Sequence, residues 1–395
     1  MNVPQRILAF SVFIAGLMII GCGGSGNGGG GTTGATTGTT ATTGTTATTG
    51  TTATTGTTAT TGTTATTGTT AASAGKFAQA NLVANTAAGK AAVTDPNLVN
   101  PWGISFAPGG AFWVSDNGTG VSTLYNTAGA IQPLVVTIPA AGGGTKGPIS
   151  GQVFNPTADF GVGGSGPALF IFVNEDGVIS GWNSGTAALV GVDRSASGAV
   201  YKGVALGTNG GANFLYAANF NSGKVDMFNG SFTLTNSFTD PSLPAGFAPF
   251  GIANIGGQLF VSFAKQDAAK HDNVNGVGNG FVDIFSTSGS LVKRLISQGV
   301  LNSPWGLVQA PAGFGTIGGD LLVGNFGDGH LYAYNITTGT LVGSLNDTTG
   351  KPLVIDGLWA LIFGNGGAGG VLGKLYFTAG PNTEANGLLG SLTAQ

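Results

Sequence analysis

The chain has 395 residues and a formal net charge of −3, and only 7% of its residues are charged. It carries no basic patch, which argues against a nucleic-acid partner. Because Cys22 is the single cysteine, an intrachain disulfide is excluded. A folded part must therefore be stabilised by the burial of apolar side chains and by backbone hydrogen bonds.

The first 22 residues predict a lipoprotein signal peptide. Arg6 precedes the apolar run 7–20, which is shorter than the ~20 residues that a membrane-spanning helix needs. The run ends at Ile19-Ile20-Gly21-Cys22, which resembles the lipobox of bacterial lipoproteins; the alternative is an ordinary secretory signal with a chance cysteine. Acyl groups on Cys22 would anchor the protein to a membrane of the cell envelope. By analogy with known lipoproteins, Gly23 indicates the outer membrane if the cell is Gram-negative.

Residues 23–75 are rich in glycine, threonine and alanine, and the hexad Ala-Thr-Thr-Gly-Thr-Thr repeats between residues 35 and 70. A segment without large apolar side chains cannot offset the entropy of ordering its backbone, so we predict a disordered tether. As a flexible coil it would span ~40 Å. The folded part is predicted to comprise residues 76–395.

Short apolar or alternating runs recur through the folded part, separated by Gly, Asn, Asp and Pro. Examples are 112–114, 169–172, 259–261 and 375–377. Runs of this length and punctuation are typical of β-strands joined by tight turns. No stretch has a convincing helical period, so the fold class is predicted to be all-β.

One strand type recurs as an aromatic or polar residue, then a small residue, then an aliphatic one. Its instances are Trp102-Gly103-Ile104, Ser150-Gly151-Gln152-Val153, Lys202-Gly203-Val204, Phe250-Gly251-Ile252, Trp305-Gly306-Leu307 and Trp359-Ala360-Leu361. A period of about 50 residues with four strands per unit is typical of β-propeller blades. Glycine at this position predicts close packing of neighbouring blades. The pattern predicts a six-bladed β-propeller in which Phe77–Val83 completes the last blade, which otherwise lacks a strand.

Longer motifs support this interpretation. The segments 95–104, 113–120, 264–272 and 325–329 resemble an uncharacterised family of exported bacterial six-bladed propellers, similar in shape to NHL-type propellers. The resemblance covers residues 77–395 and implies the fold, but no established activity. Ala360 departs from the glycine pattern.

The loop 264–280 is the first candidate site, because it concentrates charge in a domain that is nearly free of it. Its charged or titratable residues are Lys265, Asp267, Lys270, His271 and Asp272. Charge gathered on one loop of a functional face indicates ligand binding. The alternative is a solvated insertion whose lysines and aspartates pair with each other.

A second candidate is a Ca²⁺ site in the central channel, formed by Asp116, Glu175, Asn219 and Asn325. Calcium takes six to eight oxygen ligands of this kind. However, Asn and Asp also favour hairpin turns because they tolerate positive φ. The aromatic residues that begin the first strands also have two interpretations: they stack on a sugar, or they pack between blades.

Catalytic signatures are scarce. The histidines are His271 and His330, and no nucleophile elbow is present. Our first hypothesis is therefore a monomeric, tethered, non-enzymatic binding or scaffold module for a protein or glycan, without a cofactor. The second is a Ca²⁺-dependent hydrolase of a lactone or ester that uses Glu175.

Overall fold

A computed structural model describes residues 71–395. The predicted lipidation site Cys22, the leader 1–22 and residues 23–70 of the predicted tether lie outside the described residues. The described part is all-β, and its helical content is confined to the short 3₁₀ turns Ala87–Gly89, Ala141–Gly143, Ser195–Ser197 and Gly315–Ile317. Within residues 71–395, none of these turns has the length and apolar character of a membrane span.

Four sheets of the described part each contain four consecutive strands. The first two consist of β3 (Pro101–Ser105), β4 (Phe112–Asp116), β5 (Val121–Tyr125) and β6 (Ile131–Thr137), and of β7 (Ile149–Phe154), β8 (Phe170–Asn174), β9 (Val178–Trp182) and β10 (Leu189–Asp193). The next two consist of β11 (Tyr201–Asn209), β12 (Ala212–Asn219), β13 (Lys224–Asn229) and β14 (Leu234–Phe238), and of β15 (Phe247–Ile255), β16 (Gln258–Lys265), β17 (Gly280–Ser286) and β18 (Leu291–Ser297). Each is an antiparallel meander, as the predicted hairpins require.

The remaining strands of the described part form one nine-stranded sheet. One group comprises β19 (Pro304–Gln309), β20 (Leu321–Asn325), β21 (Leu331–Tyr334) and β22 (Leu341–Asn346), and the other comprises β23 (Leu358–Phe363), β24 (Leu375–Ala379) and β25 (Leu388–Ala394). The strand β1 (Ser73–Ala84) lies between these two groups, and the short strand β2 (Val93–Thr94) pairs beside it.

Strand β1 supplies the pairing that was predicted for Phe77–Val83. It runs antiparallel to β25, with Phe77 opposite Ala394 and Ala84 opposite Leu388. Its first residues also pair in parallel with β22, which the sequence did not predict. The strand begins at Ser73, ahead of the predicted boundary at Lys76. The last residues of the predicted tether are therefore part of the sheet.

The first strands of the successive groups surround a common axis. Strands β3, β7, β11, β15, β19 and β23 contact one another in that order, and β23 contacts β3. The glycines explain how closely they approach. A Cβ on Gly103 would lie 2.8 Å from the carbonyl oxygen of Ser150, and one on Gly306 would lie 2.6 Å from that of Trp359. Such a clash with backbone would push neighbouring strands apart, so the role predicted for these glycines is confirmed.

The contact between β23 and β3 is different, because the small residue there is Ala360. The hydroxyl of Thr378, on β24, donates a hydrogen bond of 2.6 Å to the carbonyl oxygen of Trp102 and accepts one of 3.1 Å from the amide of Ala360. This hydroxyl connects the last group to the first, where the glycine pattern stops.

The core lies between adjacent sheets. Trp113 of β4 stacks on Phe170 of β8, with 4.0 Å between ring centroids, and also packs against Phe172. Tyr201 of β11 and Phe228 of β13 belong to the next cluster, which they share with Ile171 of β8. Since sheet faces are buried against neighbouring sheets, strands such as β4, β8 and β20 are buried along their whole length.

Candidate functional site

Six aromatic side chains meet on the axis, and we call them the axial aromatic cluster: Trp102, Phe220, Phe250, Trp305, Phe326 and Trp359. The ring centroids of Trp102 and Trp359 are 3.6 Å apart, and Trp359 also stacks on Phe326 at 4.0 Å. Trp305 meets Trp102 edge-on at 6.3 Å. Trp102, Phe250 and Trp359 are therefore buried by packing, one of the two alternatives for these aromatic residues, whereas Trp305 is half-buried.

Members of the cluster line two cavities. One of about 420 Å³, which we call the channel mouth, is lined by loops and by Trp102, Phe326 and Trp359. The other, of about 340 Å³, is lined by the first strands and by Trp305. Four carboxyl groups line the channel mouth, from Glu175, Asp272, Asp356 and Glu384. Each of these residues lies in a loop that connects two strands. Such loops lie at the ends of the channel, because the strands between them form its wall.

The ammonium group of Lys202 is buried beneath these carboxylates. Its side chain is 1% exposed and forms an ion pair with Glu175, and its Nζ lies 3.5 Å from Oδ1 of Asp272. The Nζ also lies 5.2 Å from the ring centroid of Trp102 and 5.6 Å from that of Phe220. A buried ammonium needs such partners, since its loss of hydration is otherwise too costly.

Asn100 joins the aromatic cluster to the carboxylates. Its Oδ1 accepts a hydrogen bond of 2.9 Å from Nε1 of Trp359, and its Nδ2 donates one of 2.6 Å to Oε2 of Glu384. The same Nδ2 lies 3.4 Å from Oδ1 of Asn117. Nδ2 of Asn117 in turn donates a hydrogen bond of 2.9 Å to Oε2 of Glu175. The positions of both glutamates are therefore fixed by one continuous hydrogen-bonded network.

Glu384 is held by a strained turn. Asn382, Thr383 and Glu384 have φ values of 60°, 54° and 66°, a left-handed conformation that costs roughly 1–2 kcal/mol per residue for side chains of this kind. Burial raises the pKa of the Glu384 carboxyl above its usual range; the hydrogen bond from Asn100 lowers it, and the negative charge of Glu175 raises it further. This carboxyl therefore gains a proton more readily than an exposed glutamate.

The predicted loop site is divided by the structure. The loop connects β16 to β17, and its Asp272 lines the channel mouth. By contrast, Lys265 and Lys270 are exposed and form no ion pair within residues 71–395. The carboxylate of Asp267 accepts hydrogen bonds from the amides of His271 and Asp272 at 2.9 and 3.2 Å, and the first of these lowers its pKa. Asp272 thus pairs with Lys202 rather than with a lysine of its own loop.

The predicted calcium ligands do not line one cavity. Of the four, Glu175 lines the channel mouth and the other three do not. Asp116 is fully buried and accepts a hydrogen bond of 2.7 Å from Thr123. Burial raises its pKa well above the usual value, which makes it a poor ligand for a cation.

The two asparagines of that set are bonded to neighbouring backbone instead. Oδ1 of Asn219 accepts from the amides of Val200 and Ser222, both at 3.3 Å. Nδ2 of Asn325 donates at 2.8 Å to the carbonyl oxygen of Val300, in the connection between β18 and β19. The bond from Ser222 to Asn219 agrees with the alternative in which such residues stabilise turns.

A different trio comes together instead. Glu175, His271 and Asp272 each offer one ligand atom, and these atoms lie within 4.8 Å of one another. His271 Nδ1 is 3.0 Å from Oδ1 of Asp272. One residue from the predicted calcium set thus joins two residues from the predicted loop site.

Sequence reasoning missed Lys202, Glu384 and Asn100 as site residues. A signal existed for Lys202, which occupies a position where four of the repeats have Trp or Phe. Glu384 is one of the two glutamates of the chain, yet Glu175 alone was selected from them. Nothing in the local pattern marks Asn100.

Comparison with known proteins identifies relatives and a fold. No protein-family model matches the chain. It is similar to the uncharacterized protein R648 of Acanthamoeba polyphaga mimivirus, with 30% identity over 79% of each chain. It is also similar to the uncharacterized protein L690 of the same virus, with 32% identity over 76% of this chain and 82% of that one. These relatives are viral, so they do not support the bacterial family that the motifs resembled.

Two solved structures share the fold. A streptogramin B lyase is 11% identical, with a TM-score of 0.50 over 81% of this chain and 98% of its own. A catalytically inactive virginiamycin B lyase from Staphylococcus aureus, with quinupristin, is 14% identical, with a TM-score of 0.50 over 81% and 99%. At this identity the likeness shows a β-propeller fold alone.

We predict that the buried ammonium is required by its carboxylates. Lys202→Met should lower the free energy of unfolding by about 3–5 kcal/mol, because Glu175 would lose its cation in a buried position. Adding Glu175→Gln should restore part of the loss, since both charges are then removed. Urea denaturation measures the free energy of unfolding of the single and the double variant. Lys265→Met, at an exposed lysine, is the matched control. Equal stabilities of the two lysine variants would contradict the prediction.

Proposed function

This chain belongs to the family of the mimivirus proteins R648 and L690, and we propose that it is a binding module whose channel mouth takes a small cationic ligand. One observation carries the proposal: four carboxyl groups line the channel mouth, and the ammonium of Lys202 pairs with two of them, those of Glu175 and Asp272. The excess of negative charge in a recessed pocket attracts a second cation. The cavity of about 420 Å³ is within the usual range for a small ligand.

The position of this second cation follows from the existing pairs. Glu175 is already engaged by Lys202 and Asn117. Oδ1 of Asp272 lies 3.5 Å from Nζ of Lys202 and 3.0 Å from Nδ1 of His271, and no contact engages its other oxygen within residues 71–395. Glu384 is hydrogen-bonded by the neutral amide of Asn100. The carboxylates of Asp272 and Glu384 therefore have unused acceptor capacity, and a ligand amine bound between them would complete the charge balance.

We further infer that the sheets form six blades of one ring. The support is the cyclic contact of the six first strands and the position of β1, which pairs with both groups of the nine-stranded sheet. When β1 is counted with β23, β24 and β25, each group of that sheet has four strands, and β2 pairs beside β1. The ring gives the channel mouth its loops from different blades.

Membrane attachment through Cys22 belongs to the same proposal. The lipobox motif and the Gly/Thr-rich segment after it support a monomeric propeller that is held at the cell envelope by a lipid and a long tether. Metabolic labelling with an alkyne-tagged palmitate is expected to modify the full chain but not the Cys22→Ser variant. Failure to label the full chain in cells that process lipoproteins would contradict this attachment.

We predict that the channel mouth distinguishes a diamine from its neutral counterpart. Butane-1,4-diamine should bind in calorimetric titrations and butane-1,4-diol should not, since the two differ chiefly in charge. Glu384→Gln should weaken diamine binding at least about tenfold, because a charge-assisted hydrogen bond is lost. The matched control is Asp320→Asn, which removes a carboxylate from the loop before β20, outside the channel mouth.

The pH dependence has a definite sign. The pKa of Glu384 is raised, so this carboxyl is protonated over a wider acidic range and gains its charge only as the pH rises through the raised value. Diamine binding should therefore strengthen across that interval in the parent protein and not in Glu384→Gln. Added salt should weaken it in both. Equal binding of diamine and diol would remove the proposal.

A second candidate function is hydrolysis of a lactone or ester that depends on a divalent cation. The observation that favours it is the convergence of Glu175, His271 and Asp272 within 4.8 Å. One imidazole and two carboxylates suit a metal such as Mn²⁺ better than Ca²⁺, which prefers oxygen ligands alone. The predicted calcium set is replaced by this trio. A metal there competes with Lys202 for Glu175.

We predict that Mn²⁺ binding, if this candidate holds, depends on His271. Titration of the full chain followed by electron paramagnetic resonance should show one bound ion, and His271→Ala should weaken binding about 10–100-fold, as loss of a metal-supporting group does. His330→Ala is the control, because His330 lies outside the trio. Hydrolysis of γ-butyrolactone should then require the metal. Absence of bound Mn²⁺ in the parent protein would eliminate this candidate.

A further inference from the structure

Part of the channel-mouth wall is the turn that connects β24 to β25. Gly380, Thr383 and Glu384 of this turn line the channel mouth. Pro381 and Asn386 of the same turn line a smaller cavity of about 240 Å³ beside β1. The backbone conformation of the turn therefore sets the position of the Glu384 carboxyl.

The turn has a backbone conformation that residues with side chains seldom adopt. Asn382, Thr383 and Glu384 follow one another with φ values of 60°, 54° and 66°. Residues other than glycine usually visit this left-handed region singly rather than in runs, because the Cβ crowds the following carbonyl oxygen. A run of three persists only where the surrounding contacts hold it.

One of these contacts comes from Asp356, in the connection between β22 and β23. Its Oδ2 accepts a hydrogen bond of 2.8 Å from the backbone amide of Asn382, the first residue of the left-handed run. The next residue, Gly357, has a φ of 65°, and its carbonyl oxygen accepts from the amide of Gly380 at 2.9 Å. A Cβ on Gly357 would lie 2.2 Å from the carbonyl oxygen of Gly380. The glycine thus allows the two connections to touch and places Asp356 beside the turn.

The last residues of the turn are held by Asn100. Its Nδ2 donates to Oε2 of Glu384 at 2.6 Å, and its backbone amide donates to the carbonyl oxygen of Asn386 at 3.0 Å. Asp356 differs from the other three carboxyl groups of the channel mouth, because its side chain is bonded to the backbone of the turn. It is exposed and forms no ion pair within residues 71–395.

We propose that Asp356 is a positioning residue, which caps the left-handed turn and so holds the Glu384 carboxyl against Asn100, and that it is not a direct partner of the ligand. Its effect on ligand binding rests on the proposed cation site, whereas the placement of Glu384 requires no ligand. The acceptor oxygen of Asp356 carries this role. Asparagine at position 356 therefore retains it, and alanine does not.

The titration of Glu384 tests the placement without a ligand. The chain contains two glutamates, Glu175 and Glu384, so glutamate labelled with ¹³C at the side-chain carboxyl gives two signals. The signal that Glu384→Gln removes belongs to Glu384. Burial raises the pKa of this carboxyl, the hydrogen bond from Asn100 lowers it, and the charges that face it are those of Glu175, Lys202 and Asp272.

Asp356→Ala should let the turn relax, so the pKa of Glu384 should fall toward that of an exposed glutamate by at least about half a pH unit. Asp356→Asn removes the same negative charge but keeps an acceptor oxygen, so the fall should be clearly smaller. The matched control is Asp347→Ala, in the same connection but outside the channel mouth, where Asp347 accepts from the amides of Thr349 and Lys351. It should leave the pKa of Glu384 unchanged. Equal falls in the two Asp356 variants, or no fall in either, would overturn the proposal.

A glycine in the turn provides a rescue. Because glycine adopts positive φ without a steric cost, Thr383→Gly should make the turn less dependent on its cap. Added to Asp356→Ala, it should restore at least about half of the change in the pKa of Glu384. The double variant and Asp356→Asn decide the matter even where Asp356→Ala fails to fold. No recovery in the double variant would count against a role through the turn.

Butane-1,4-diamine connects the placement to the proposed function. In calorimetric titrations, Asp356→Ala should weaken its binding at least about threefold more than Asp356→Asn, because only alanine removes the hydrogen bond to the turn. Equal weakening would make Asp356 a direct partner of the amine and would overturn the positioning role. Absence of diamine binding in the parent protein would remove the cation site, while the titration of Glu384 would still decide whether Asp356 positions this carboxyl.

Discussion

The close approach of the first strands around the axis is the constraint on which the rest of the structure depends. Because Gly103, Gly203 and Gly306 lack a Cβ, each strand can lie against the carbonyl oxygen at the start of the next. The residues before these glycines are then brought together, and most of them are aromatic. The aromatic cluster and parts of the walls of both cavities follow from this arrangement, since each includes residues at or next to the small position.

Lys202 is the exception within that arrangement. It occupies a position that would otherwise add another aromatic ring, and its ammonium lies beside Trp102 and Phe220. A charge at this depth can be retained only with a carboxylate close by, which Glu175 supplies. Three further carboxyl groups, from Asp272, Asp356 and Glu384, lie at the same cavity. One lysine of β11 is therefore set against four carboxyl groups from the loops.

The sequence predicted the fold better than the site because the two depend on different ranges of interaction. Alternation, hairpin residues and the glycine period are local signals, and they predicted the strands and the pairing of Phe77–Val83 with β25. The site combines carboxyl groups from four distant loops with Lys202 and Asn100, and Glu384 reaches it through a left-handed turn that no local rule anticipates. The predicted calcium set failed to converge because Asn219 is bonded within its own hairpin and Asn325 to the backbone of the connection between β18 and β19.

The packed rings beside the channel mouth also affect its electrostatics. Trp359 is fully buried, stacks on Trp102 and Phe326, and donates from its Nε1 to Asn100. The same asparagine donates to Glu384, so the polar contact of the cluster is directed toward the carboxylates. The Nζ of Lys202 lies 5.2 Å from the ring centroid of Trp102, and the lysine side chain is 1% exposed. Because packed rings replace water around this ammonium, its interaction with Glu175 is stronger than that of an exposed ion pair.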